Sequence, residues 1–398
     1  MLIHSFRVEN YKGFREGQTI DLGSLTMLYG ENSSGKSSLL RLLPWLSESM
    51  ADERPGPVLD ATVGREALWT DLAHVSSPSQ PIDIAVNWSA GHLARWELRG
   101  GALPGSCELK GMTFQDATIT WEFEDDGDGL WRDQIPAVHG MLPSSPSAIW
   151  KSEGELSREK FVLDIQWLQG IRAPVPRVEK ALASPPGKLS STGEGVARFL
   201  YQWARSARSD KERNALAFVL LFFNRLGFDL KTTDVAPSFF KLDVSSAGNS
   251  SAAINLVDTG EGLTQVLAPL VAMARAAYGI GPAVVCLEQP ELHLHTDAQR
   301  VLALSIADAV AAGAQVVIET HSEVLLAATQ LLLTAENPVV EAKDVALYWV
   351  ARRKDGACAA RRVTLDSKGG VSGGWPIDAF DDLLQLKSEL LAARRSIV

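Results

Sequence analysis

The sequence predicts an α/β fold, and three stretches of its 398 residues carry that expectation. Leu25-Thr-Met-Leu-Tyr29 is a short apolar run with strand character, and it leads into GENSSGKSS at 30–38. Leucines at 39, 40, 42, 43 and 46 follow at helical spacing, so the glycine-rich stretch joins a strand to a helix. From residue 254 onward strand and helix signals alternate, and two apolar runs, AVVCLEQPELHLH (283–295) and QVVIETHSEVLL (315–326), end in acids and a histidine. Alternation of this kind builds a parallel sheet covered by helices.

The glycine-rich stretch has the spacing Gly-x4-Gly-Lys-Ser in strand–loop–helix context, which reads as a phosphate-binding P-loop. Backbone N–H groups of Asn32, Ser33, Ser34, Gly35 and the helix start, through Ser38, are expected to cradle phosphates. Lys36 is expected to reach the β- and γ-phosphates of a nucleotide, and the Ser37 hydroxyl to sit on Mg²⁺.

The elements then follow in order. Residues 1–60 hold two or three strands, the loop and its helix. Residues 61–170 change character: Trp69, Trp88, Trp96, Trp121, Trp131 and Trp150 sit among alternating runs and Gly/Pro/Ser turns, which predicts a β-rich insertion. Its EDDGDG stretch (124–129) imitates a calcium loop, but the twelfth position is Ile135 and a solvated turn is expected. Residues 171–253 are read as a helical segment, helical from 194 to 226, with Val196, Phe199, Leu200 and Trp203 buried, Arg198 and Arg205 on another face, and Gly227 at the C-cap. A basic face of Arg198, Arg205 and Arg208 is an expected contact for a partner or nucleic acid. Residues 254–340 carry helices near 263–276, 297–311 and from 323, with strands at 283–287 and 315–318. A hairpin at about 345–365 and a short helix are expected in 341–398.

Composition narrows the class. The net charge of −10 argues against a surface coated for phosphate binding, although 172–213 carries nine Lys/Arg against four Asp/Glu. Cys107, Cys286 and Cys358 form no CxxC pair, so neither a disulfide framework nor a zinc ribbon is indicated, and a cytoplasmic setting is expected. The opening MLIHSFRVEN lacks the apolar core of a signal peptide. Residues 267–287 are nearly all apolar, but Arg275 and the break Gly279-Ile-Gly-Pro282 split them into a helix and a strand, so no membrane partner is expected.

Together with LVDTGEGLTQVL (256–267) and VENYKGF (8–14), these motifs resemble the ABC-type ATPase heads of the SMC, RecF and OLD (overcoming-lysogenization-defect) group, and most of all bacterial AAA-family ATPases related to OLD proteins. The resemblance is carried by residues 1–45 and 254–326, with weaker support from WLQGIRAPVPR (167–177) and GGWPIDAF (373–380). It implies a two-lobed P-loop NTPase head: lobe I in 1–60, lobe II in 254–340, and the insertion and helical segment between them. It also implies that Asn32 to Ser38 wrap the phosphates of ATP, Glu288 holds Mg²⁺ with Ser37, and His321 senses the γ-phosphate. The turn around Gly260 and Gly262 would cap the ATP of a second protomer, so a homodimer is implied. The alternative for Asp258-Thr-Gly-Glu261 is a helix capping box. Arg172 and Arg177 either line the nucleotide site or are solvated charges, and His293, His295 and His321 have a metal-ligand alternative without a matched second shell.

One departure from the family pattern matters. Where these heads place a glutamate that activates water, this sequence has Gln289, which cannot take a proton near neutral pH. Either Glu291 or His321 substitutes, or hydrolysis is slow and ATP acts mainly as a dimerising ligand. Only 77 residues follow His321, too few for the Toprim nuclease domain of many OLD-family chains, so the effector is expected to be a separate nuclease or toxin. ATPases of this kind recur in antiphage systems such as Septu and PARIS. The competing expectations are a RecF-like ATPase binding DNA directly and a non-hydrolysing ATP-gated scaffold; a transporter subunit fits less well.

Overall fold

The computed structural model describes residues 2–54, 56–116, 120–124, 138–143, 158–181, 187–248, 252–372 and 375. Trp131, Trp150, residues 125–129 of the acidic turn, most of the GGWPIDAF stretch and the expected C-terminal helix lie outside them. Strands β1 (Ile3–Glu9), β2 (Gln18–Asp21) and β3 (Leu25–Gly30) precede α1 (Lys36–Ala51) and the short α2 (Trp69–Leu72). Next come β4 (Ile82–Trp88), β5 (Leu93–Gly100), β6 (Cys107–Gln115), β7 (Thr120–Glu124), the pair β8 (Val138–His139) and β9 (Leu142–Pro143), and β10 (Ile165–Leu168). The middle of the chain forms β11 (Glu179–Lys180), α3 (Val196–Ser206), α4 (Asp210–Arg225), β12 (Phe228–Ala236), β13 (Phe239–Ser246) and β14 (Ile254–Asn255). The last part alternates α5 (Glu261–Gln265), α6 (Leu267–Ala277), β15 (Val284–Glu288), α7 (Thr296–Ala311), β16 (Gln315–Thr320) and α8 (Glu323–Leu332), then β17 (Val345–Arg352), β18 (Cys358–Leu365) and β19 (Val371–Ser372).

A seven-stranded sheet in the order β10-β15-β16-β3-β17-β18-β19 forms the centre. Its first five strands are mutually parallel, β18 returns antiparallel to β17, and β19 pairs antiparallel to β18. Every residue of β3, β15 and β16 is buried, which is why these segments read as unbroken apolar runs. Side chains alternate between two separate cores. Leu25, Met27, Tyr29, Val285, Leu287, Val316 and Ile318 join one with α3, α4, α6 and α7. Leu28, Val284, Cys286 and Val317 join the other with the leucines of α1 and the aromatic residues of the second sheet.

That second sheet is antiparallel, in the order β2-β1-β4-β5-β6-β7. The segment read as an insertion therefore continues the sheet that β1 and β2 begin, and residue 60 does not divide two sheets. Nor does the segment stay in one layer, because β10 pairs with β15 in the central sheet. Among the described residues Trp69, Trp88 and Trp96 are core residues: Trp96 is fully buried, with its ring N–H donating to Met141 O at 2.8 Å, and Trp88 meets Phe161 edge-on.

The helical stretch expected from 194 to 226 is two helices, because Ser209 caps a new one, its hydroxyl accepting from Glu212 N at 3.3 Å. Gly227, at φ 80°, ends that helix by donating to Asn224 O. The hairpin of β17 and β18 is part of the central sheet, with β17 lying parallel to β3.

Candidate nucleotide-binding site

The glycine-rich loop leaves the C-terminal end of β3, between β16 and β17, and runs into α1. Two of its glycines have no substitute. A Cβ on Gly30 would lie 2.0 Å from Val350 O, and Gly35 takes φ 102° with a Cβ position 2.9 Å from the Phe14 ring. The VENYKGF segment thus packs under the loop, and Cys358 N donates to Gly13 O at 2.7 Å.

A cavity of about 530 Å³ opens here, lined by Asn32, Ser33, Ser34, Gly35, Lys36, Ser37 and Ser38 together with Gln289, Glu319, His321 and Arg352. Lys36 Nζ donates to Gly30 O at 2.9 Å and to Glu31 O. Burial lowers the Lys36 pKa, against the pull of Glu319 and Glu31. The Ser34 hydroxyl is buried without a hydrogen-bond partner, which suits a phosphate oxygen as acceptor. A larger cleft of about 720 Å³ between α4 and α7 is lined mainly by apolar side chains and lies apart from these groups.

The strand-end acids have unlike surroundings. Glu288 accepts from Arg41 Nε at 2.5 Å, from Arg41 Nη2 at 2.6 Å and from the Trp167 ring N–H at 3.0 Å, and it does not line the cavity. Ser37, expected to share Mg²⁺ with Glu288, donates its hydroxyl to Glu319 Oε1 at 2.7 Å. Burial raises the Glu319 pKa, the Ser37 hydrogen bond opposes it, and Glu288 adds to it. Sequence reasoning passed over both Glu319 and Arg41, although an acid ending an apolar strand two residues before His321 was a readable signal.

Gln289 lines the cavity at φ 42°, in the left-handed region. Arg172 supports this turn from behind, donating to Glu288 O at 2.7 Å and Gln289 O at 3.3 Å, while its Nε and Nη1 are buried without partners. Burial brings the Arg172 pKa down to about 10. Arg177 forms a two-pronged ion pair with Asp258 at 2.6 and 2.9 Å on the surface, so these two arginines do different things. Glu291 is buried, accepts from Thr320 Oγ1 at 2.5 Å and does not line the cavity. His321 does line it, and burial and the Lys36 charge hold its pKa below the usual imidazole value.

Gly260 and Gly262 sit at the start of α5, outside this cavity. Gly260 takes φ 100° and faces open space, whereas a Cβ on Gly262 would lie 2.6 Å from His293 O. The capping-box alternative does not form, since Gly260 is the N-cap of α5 and no side chain caps it. His295 instead caps α7, and among the described residues no three His, Cys, Asp or Glu side chains are grouped to hold a metal. Two of the three arginines of the basic face are paired, Arg198 with the buried Glu179 at 2.7 Å and Arg205 with Asp234.

Residues 1–136 match the family described as "AAA ATPase domain", and residues 192–327 match "AAA domain, putative AbiEii toxin, Type IV TA system". No curated protein matches the sequence. The fold is similar to an Smc head solved with the C-terminal winged-helix domain of ScpA (TM-score 0.51, 14% identity, covering 92% of this chain and 98% of that one). It is likewise similar to a Pyrococcus furiosus Smc head with an extended coiled coil bound to the C-terminal domain of ScpA (TM-score 0.51, 13% identity, 99% of each chain). At such identities the likeness concerns the fold alone, and that fold is an ABC-ATPase head. No described helix is long and apolar enough to cross a membrane. One AAA match covers the P-loop strand and helix, another covers the stretch bearing Gln289 and His321, and a single sheet unites them, so the chain resembles AAA ATPase domains arranged in the fold of an ABC-ATPase head.

Proposed function

We propose that the chain binds ATP with Mg²⁺ in the cavity over α1, and that ATP closes a homodimer which switches a separate effector. The observation that carries this reading is the division of the site. Loop residues 32–38, Gln289 and His321 share one cavity, while Gly260 and Gly262 lie outside it, Gly260 with open space before it. A second copy could bring that turn over the nucleotide. The buried Ser34 hydroxyl and the oxygen donors around Ser37 fit a triphosphate and a hard cation. When bound, the cation would neutralise phosphate charge. Lys36 would bind the β- and γ-phosphates, and neutral His321 would accept a hydrogen bond or proton on the γ-phosphate side.

Hydrolysis is proposed to be slow. Gln289 occupies the place of a general base, and Glu291 is held by Thr320 away from the cavity. This also favours the second reading, a scaffold in which bound ATP gates assembly with little turnover. Direct DNA binding has less support, because Arg198 and Arg205 are already paired. The proposed effector is a nuclease or toxin, in a cytoplasmic antiphage setting. The toxin in one matching family's description and the ScpA domain seated on a similar head are in keeping with a partner polypeptide.

The test is Lys36→Ala, which removes the charge that faces the phosphates. ATP affinity should fall by about 100-fold or more, and ATP-dependent dimerisation in light scattering should vanish with it. Unchanged affinity would sink the nucleotide site, and an assembly identical with and without ATP in the wild type would sink the switch.

A further inference from the structure

We infer that Glu319, together with Ser37, is the carboxylate that holds the nucleotide's divalent cation, and that its neighbour Glu288 is a structural anion committed to Arg41. The inference rests on the ATP reading above and assigns the metal ligand within it.

Glu288 and Glu319 are register partners at the ends of β15 and β16, so both side chains emerge side by side next to the loop. They are equally buried, at 6% and 5% exposure, so burial does not distinguish them. Their partners do. Both oxygens of Glu288 are used, by two nitrogens of the Arg41 guanidinium and by Trp167. A two-pronged guanidinium–carboxylate pair is among the stronger contacts a buried acid can make. Pulling Glu288 toward a cation would strand the Arg41 charge, whose side chain is only 19% exposed.

Glu319 is arranged the other way. One oxygen accepts from the Ser37 hydroxyl, and the second is buried with no partner. Glu319 and Ser37 both line the cavity, whereas Glu288 does not. A buried carboxylate oxygen without a partner is costly, and a divalent cation would satisfy it. Mg²⁺ suits such a sparse protein site, because it usually takes one or two carboxylates and fills its octahedron with phosphate oxygens and water. The absence of any larger acid cluster among the described residues agrees with that demand.

The experiment measures ATP affinity of the full chain by calorimetry, in excess EDTA and in excess Mg²⁺. The wild type should bind more tightly with Mg²⁺. Glu319→Gln should lose most of that gain, by about tenfold or more, with affinity in EDTA unchanged or tighter because an anion beside the phosphates is gone. Glu288→Gln should keep the Mg²⁺ gain. Retention of the full gain by Glu319→Gln, or its loss in Glu288→Gln alone, would overturn the assignment while leaving ATP binding intact. A wild type that binds ATP in neither condition would instead overturn the nucleotide reading and the assignment with it. Should Glu319→Gln fail to fold, Glu319→Asp keeps the charge but withdraws it by one methylene. That variant should shift preference from Mg²⁺ toward the larger Mn²⁺, and an unshifted preference would overturn the assignment.

Discussion

Arg41→Ala isolates what the Arg41–Glu288 pair does for the fold. At an effective dielectric of about 20, two unit charges about 4 Å apart attract by roughly 4 kcal/mol. Most of that is offset by desolvation while both partners are present, but removing Arg41 leaves the Glu288 carboxylate buried with only the Trp167 N–H. Such deletions cost about 3–5 kcal/mol, and the partial exposure of Arg41 argues for the low end, ~3 kcal/mol. For a chain of this length that is a fall in Tm of ~4 °C. Differential scanning calorimetry of Arg41→Ala, Glu288→Gln and the double variant reads both the loss and the coupling. The double variant should be less damaged than the sum of the singles by more than ~1 kcal/mol, because a neutral amide at position 288 no longer needs a cation. Single losses below ~0.5 kcal/mol that simply add would refute the claim that this pair is a buried, committed contact.

Further outcomes concern turnover, its pH dependence and dimerisation. Gln289→Glu should raise single-turnover ATP hydrolysis, by up to ~10²-fold if the missing base is the only brake, whereas His321→Ala should lower it. Because the His321 pKa lies below the usual ~6.5, the working neutral imidazole is present at pH 7, and the rate should fall only as pH drops below that value; a rate already falling between pH 8 and 7 would contradict this. Gly262→Val and Gly260→Ala should both weaken ATP-dependent dimerisation, the first because its Cβ meets His293 O at 2.6 Å and the second because φ 100° strains any L side chain, and crosslinking yield reads both.

What the sequence disclosed was what is local in the chain. The strand, loop and helix from 25 to 51 are contiguous, so spacing alone exposed them, and the alternation after 254 gave elements close to those observed. The partnerships that define the site are remote: Ser37 meets Glu319 across 282 positions, and Arg41 meets Glu288 across 247. No periodicity reports such a pairing. The four-residue strand β10 was hidden for a similar reason, since IQWL is too short to declare a partner 119 positions away. The break between α3 and α4, by contrast, was readable, because Ser209 and Glu212 have the spacing of a helix start.

The alternation of β3, β15 and β16 between two cores makes the central sheet a bulkhead. Even-numbered Leu28 and odd-numbered Met27 share a strand yet never share a compartment, so a volume change at one has no side-chain route to the other. Substitutions on opposite sides should combine additively, and the antiparallel side can diverge in sequence without disturbing how the helical side is packed. Displacement across the bulkhead must instead travel through strand backbone, and the strand ends that would feel it first are those carrying Gly30, Glu288 and Thr320.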